Sequence, residues 1–221
     1  GHDRDLLVHP LGARTAEHVI DRIIEAIARC RLFALSIFLT YVLSSSAGIF
    51  MSHAGNGFAL AQRDKIVHRA LTSDNSSIDY QAGNHAAAMV RDFAGNLFFS
   101  AIPQTVGGLG VILPYFSVAY QGWVGGIVSV DSAHHSRLRT TKSASYYLIV
   151  LLLQFIPFSL SIGAGVRFGV ELYRHNPGIS WSFWRYRVPR ESLVDLGCVF
   201  AVTVPLLFVA SAFEFLSPWN V

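Results

Sequence analysis

The sequence predicts an all-α, polytopic membrane helix bundle of four to five spans, with one or two interfacial amphipathic helices. Three observations carry this. Between Lys142 and Arg167 the chain runs 24 residues without a charge, SASYYLIVLLLQFIPFSLSIGAGV. As a helix that is about 36 Å, enough to cross a bilayer with some tilt, and it lacks the polar face of a soluble helix. The chain is 52% apolar and 14% charged over 221 residues, against roughly 25% charged for a soluble domain. The charges are also bunched, leaving further charge-free windows at Leu32–Gln62, Phe93–Val130 and Leu196–Phe213.

The elements follow in order. Residues 14–29, RTAEHVIDRIIEAIAR, place Ile20, Ile23, Ile24 and Ile27 on one face, with Glu25 and Arg29 four apart on another. Residues 1–31 therefore read as a cytoplasmic interfacial helix, or as a soluble helix packed on a partner subunit. They hold charges of both signs and no early apolar core, so the first span is the expected export signal. Residues 32–221 form the transmembrane domain, with spans expected near 32–51, 93–112, 114–130, 144–166 and 196–215. In the first span, Ser44-Ser45-Ser46-Ala47-Gly48 favours close helix contact.

The polar segment from Ser52 to Asp92 contains a second amphipathic pattern, Phe58 to Leu71, and TSDNSS after it reads as a turn or disordered tip. The window from Phe93 to Val130 holds 38 residues, about 57 Å as one helix and too long for one span. Pro103, Gly107, Gly108, Gly110 and Pro114 interrupt it. Either two short spans turn near Leu113-Pro114, or one kinked span leads into a re-entrant helix. Broken backbone at membrane depth has to be shielded by protein or water. Asp131 to Lys142 is a polar loop. Arg167, Arg174, Arg185, Arg187 and Arg190 surround NPGISWSFW, whose Trp181 and Trp184, with Tyr186, suit the headgroup layer.

Orientation follows from lysine and arginine. Five spans with the N-terminus inside place 10 of these residues in the cytoplasm and 7 outside, whereas four spans give 8 and 9. The positive-inside rule favours five and a cytoplasmic N-terminus.

Function classes narrow by what is absent. The net charge of +3 comes without a dense basic run, so no nucleic-acid partner is expected. Cys30 and Cys198 form neither a disulfide framework nor a zinc pattern. His134-His135 lies in a solvated loop with no second ligand cluster. HExxH, GxSxG, Walker A and CxxC do not occur. No cofactor or metal is expected, and no catalytic residue is assigned.

Two residue sets remain. Gly107, Gly108 and Gly110, the Gly122-Trp-Val-Gly-Gly126 run, and Gly163, Gly165 and Gly169 offer small faces for helix packing within or between chains. Asn96, Gln121, Gln154 and Glu214 are the intramembrane polar candidates. The amides, Gln104 among them, read first as interhelical hydrogen-bonding groups. No ionisable residue falls mid-span, which argues against a proton-coupled transporter.

Three stretches together resemble the stage II sporulation protein M family. Phe93-Ala-Gly-Asn96 leads to GGLGVILPYFSVAYQG, similar to that family's phenylalanine–asparagine start and glycine-rich run ending in Asn-Gly. QFIPFSLSIGAGVRFG, Gln154 to Gly169, resembles its glutamate-led helix. PLLFVASAFEFLSPW, Pro205 to Trp219, resembles its terminal span, which ends in Ile-Glu and a proline. The order holds over roughly residues 32–219. Gln121 replaces the asparagine, Gln154 replaces the glutamate, the preceding Pro-His-Gly is missing, and Glu214 is retained. The resemblance implies a polytopic inner-membrane protein of a bacterium or archaeon, linked in spore formers to cell-envelope remodelling with partner proteins, and no known catalytic centre.

The expectation is thus a non-enzymatic subunit in the lipid bilayer that scaffolds or assembles a larger complex with other membrane subunits. The alternative is a permease-like subunit moving a small or lipidic substrate with a partner ATPase, its broken helices at Gly107 to Pro114 lining the path. An intramembrane enzyme would need polar groups converging on one cavity, and Asn96, Gln121, Gln154 and Glu214 are the set to inspect.

Overall fold

The computed structural model describes residues 11–176 and 188–216. Trp181, Trp184, Arg185, Tyr186, Arg187 and Trp219 lie outside these, so the headgroup-layer reading of that stretch does too. The described chain is helical throughout, apart from short turns and a single bridge between Val130 and Ser136.

Helix α1 spans Leu11–His53, 43 residues without a break. The expected boundary at residue 31 between a surface helix and a span does not exist. From Ala13 to Ala47 there is neither glycine nor proline to end the helix, so one rod carries both patterns. Its two faces differ sharply. Leu32, Leu35, Leu39, Leu43 and Phe50 are exposed, while Cys30, Ala34, Ile37, Tyr41, Ser45 and Ser52 are buried. An apolar stripe of that length facing outward is costly in water and matched by acyl chains.

Helices α2 (Gly57–Ser73), α3 (Asn75–Gln81) and α4 (His85–Ala94) follow. The TSDNSS stretch is a capped junction rather than a loose tip. The Asp74 carboxylate accepts from the Ser76 and Ser77 amides, satisfying the first donors of α3.

The long apolar window departs most from expectation. The spans placed at 93–112 and 114–130 are not two full helices. A π-helical stretch, Gly95–Ala101, continues α4 into α5 (Ile102–Gly107); a tight turn at Gly108–Gly110 leads to α6, Leu113–Ile127. Helix α6 has 15 residues, about 22 Å. The glycines and Pro114 end each helix early, and Val111 takes a left-handed φ of 54° in the turn. Among the described residues, three helices are long and apolar enough to cross a membrane: His18–His53, Thr141–His175 and Arg190–Leu216. The latter two are α7 and α8, and each holds a proline, Pro157 and Pro205.

Contacts fix the directions. Tyr115 bonds Ser36 at 2.6 Å, and Ser52 reaches the Ile127 carbonyl at 3.3 Å, so α6 runs parallel to α1. Phe155 stacks on Tyr41 at 4.6 Å while Gly163 meets Ala34, so α7 runs antiparallel to α1. Helix α8 returns along α7, with Asp195 at Arg167 and Glu214 at Gln154. Asp92 lies beside Ser211 and Thr105 beside Gly165, so the chain descends from α4 to α5 before α6 rises again. Residues 93–127 thus form a helical hairpin folded against the long helices. Ile37, Tyr41, Val118, Phe155, Phe158, Ile162 and Leu207 fill the core between them.

The bundle has two unlike ends. At the arginine end, the carboxylate of Asp195, 2% exposed, receives Arg29 Nε at 2.9 Å and Arg29 Nη2 at 2.5 Å, and pairs with Arg167. Three helices are tied there through one buried acid. The loop end gathers α2, α3 and residues 128–140.

Candidate functional site

Between the hairpin and α7 lies a cavity of about 880 Å³, closed at the loop end by α3 and the 131–140 loop. It forms because α6 leans on α1 rather than on α7. That lean is a glycine effect. A Cβ on Gly122 would overlap Ser44 and one on Gly126 the Ser45 carbonyl, while Gly48 presents its own bare Cα to Gly126. Only glycine permits this approach.

The other predicted packing glycines divide. Gly108, Gly165 and Gly169 interlock, placing the hairpin turn directly on the α7 backbone, and Gly163 sits against Ala34. Gly107 and Gly110 do not belong to this set. A Cβ on Gly107 meets nothing within 4 Å, and one on Gly110 meets only the Leu113 side chain. Both flank the turn, where they end helices instead of joining them.

All four predicted polar residues, Asn96, Gln121, Gln154 and Glu214, line the cavity. Each is also held. Asn96 Nδ2 donates to Asp92 at 2.9 Å, and Asp92 accepts from Ser211 Oγ at 2.6 Å. Gln121 Oε1 accepts from Tyr41 at 2.9 Å and from Gln104 at 3.2 Å, and Gln104 reaches Ser100 at 2.8 Å. Gln154 Nε2 donates to Glu214 Oε2 at 2.8 Å. The amides therefore join helices and line the cavity at once. Asn96 and Ser100, four residues apart in the π-helical stretch, share the face that lines the cavity.

Sequence reasoning missed the aromatic lining. Tyr80, Tyr146, Tyr147, Phe155, Phe158 and Phe215 contribute to the wall. Tyr147 donates to the Gly125 carbonyl at 2.5 Å, and Tyr146 to the Glu214 carbonyl at 3.0 Å. Doubled tyrosines at the start of an apolar helix were the available signal, since a buried phenol seeks a partner. The cavity is graded as a result. Towards the loop it holds the tyrosine hydroxyls, Arg137 and Arg139; the Glu214 carboxylate reaches Gln154, between Leu151 and Phe155 on α7, and Phe155 and Phe158 line the deeper part.

The closing loop is built by Asp131, whose Oδ1 accepts from the Ala133 and His135 amides, each at 2.8 Å. Those bonds hold its carboxyl below the ordinary range. The Arg63 guanidinium and then the His134 ring do the same for Asp64, which docks the loop on α2 through His134 at 3.0 Å. His134 and His135 thus serve loop geometry. Among the described residues no group of three histidines, cysteines or acids is placed to hold a metal.

The arrangement can hold an elongated ligand, polar at one end and apolar at the other. No protein family, curated protein or solved structure matches the chain.

Proposed function

We propose that this chain is a multi-pass membrane subunit that binds an amphiphile in the cavity between its hairpin and α7, in the manner of a permease-like component. The observation that carries the reading is the convergence of Asn96, Gln121, Gln154 and Glu214, from separate helices, on one cavity with an apolar floor. Burying four such groups in an apolar wall is expensive unless they serve a ligand or each other.

In this reading the hairpin crosses the bilayer twice. Its outer surface supports that. Phe98, Phe99, Val106 and Phe116 are all exposed, Phe99 at 86%, as suits lipid contact. Five crossings then result, with residues 1–31 and 167–190 on one side, where Arg29 meets Asp195. The positive-inside count places that side in the cytoplasm. In this reading the chain is a relative of the stage II sporulation protein M family, which it resembles over roughly residues 32–219. Its two most telling positions, Gln154 and Glu214, are bonded to each other in this chain.

The scaffold expectation rests on an excess of small-residue faces over ionisable sites, packing within or between chains. Those faces meet inside one chain, Gly122 and Gly126 on α1 and Gly165 and Gly169 on the hairpin. The shielding that the broken backbone needs comes from α7 itself.

Native mass spectrometry from gentle micelles tests the cavity. The wild-type chain should retain an amphiphile through at least one detergent exchange. Val150→Trp, which fills the cavity from α7, should lose at least tenfold of that occupancy without loss of monodispersity. Equal retention by both would sink the reading.

A further inference from the structure

Resting on the cavity reading above, we propose that the loop end of the cavity recognises the cationic amine of an amphiphile, held by Glu214 and an aromatic box of Tyr80, Tyr146 and Phe215. The rings of Tyr80 and Phe215 pack edge to face, 5.7 Å apart at 70°, and His85 packs on Tyr80 at 4.6 Å, so the pair forms one fixed aromatic wall. Tyr146 closes a further side, its hydroxyl on the Glu214 carbonyl at 3.0 Å and its ring stacked on Phe213 at 5.7 Å. That contact fixes the ring without consuming its other face. All four residues line the same cavity.

Aromatic faces and a carboxylate around one volume suit an alkylammonium. The ring quadrupoles and the carboxylate all favour positive charge, and a desolvated cation over such faces gains most. The attraction is electrostatic, so it needs no vacant hydrogen-bonding position on Glu214. Among the described residues lining the cavity, the cations are Arg137 and Arg139, both in the 131–140 loop. They suit the anionic half of a zwitterionic headgroup or the water outside. The chemistry of the remaining wall then sets the ligand's other end. Phe155 and Phe158 lie deeper along α7 than Gln154, which holds the Glu214 carboxylate, and accept an alkyl tail.

The test uses the full chain in maltoside micelles, titrated by calorimetry with three probes: dodecyltrimethylammonium, its uncharged tert-butyl analogue, and tetramethylammonium. The wild type should bind the charged amphiphile at least tenfold more tightly than the neutral one, and tetramethylammonium at least a hundredfold more weakly. Glu214→Gln should erase the charge preference, with a cooperative unfolding transition showing that the fold survives. Phe215→Leu should narrow the charged-over-neutral preference about fivefold, whatever apolar contact both probes lose, and it decides the matter if Glu214→Gln fails to fold. Equal affinity for charged and neutral amphiphiles overturns the amine assignment and leaves the cavity reading intact. Tight tetramethylammonium binding overturns the amphiphile part in favour of a small free amine. If neither amphiphile binds, and Val150→Trp changes nothing, the cavity reading falls as well.

Discussion

Replacing Gly126 by leucine is expected to cost the bundle about 3 kcal/mol or more, read as a fall of about 10 °C in the unfolding midpoint of the purified chain. Overpacking is cheap when a flexible side chain can swing away. Here the first added carbon meets the Ser45 carbonyl, with Gly48 Cα and Ile49 N at 2.9 Å. All three are backbone of α1, and a helix cannot yield locally without losing its own hydrogen bonds. The matched control is Gly107→Leu. That glycine is the chain neighbour of the interlocked Gly108 but faces open space, so the change should stay within about 0.5 kcal/mol. A Gly107→Leu variant as unstable as Gly126→Leu would show that glycine's helix-ending role, and not its packing, dominates this region.

The second large effect belongs to the arginine end. Asp195→Asn keeps the shape of the side chain and removes the charge that two arginines share. Arg167 is the costly partner to strand, since only 13% of its side chain is exposed. Arg29, at 35%, can recover water. Breaking a buried pair from one side typically costs about 3–5 kcal/mol; the partial exposure of Arg29 places the expected loss near the lower figure. The double variant Asp195→Asn with Arg167→Met should recover at least half of it, because the stranded charge is then gone. Thermal unfolding of the four proteins in one detergent checks this. An additive pair of losses would mean that Asp195 and Arg167 are not coupled.

Much of this architecture was legible in the sequence for a physical reason. Charge-free windows report where backbone and side chains can leave water, and they located α7, α8 and the apolar half of α1. Small residues at four-residue spacing likewise marked the α1–α6 contact, since only bare Cα atoms allow it. Two things were hidden. The boundary at residue 31 was read from a change in polarity, but polarity does not end a helix. Without glycine or proline near Arg31, α1 simply continues. Asp195, Arg29 and Arg167 looked like separate flanking charges because they are far apart in sequence, and their pairing arises only when three helices end together.

The site shows the same division. Asn96, Gln121, Gln154 and Glu214 stood out because polar groups in apolar windows are costly. That they share one cavity depends on the lean of α6 towards α1, which leaves no periodic signal. The aromatic lining was masked by composition, since tyrosine and phenylalanine are equally at home facing lipid.

The account depends most on residues 93–127 crossing the bilayer twice as a hairpin beside α7. Single-cysteine labelling in sealed vesicles tests this directly, on a Cys30→Ser, Cys198→Ser background. Ile112→Cys reports the hairpin turn, 65% exposed beside the α7 glycines, and Ser132→Cys reports the exposed closing loop. An impermeant maleimide should reach the two positions from opposite sides, with Ile112→Cys on the side shared by Arg29 and Arg167. Labelling of both from the same side would place the hairpin turn at the loop end and remove the wall on which the cavity depends.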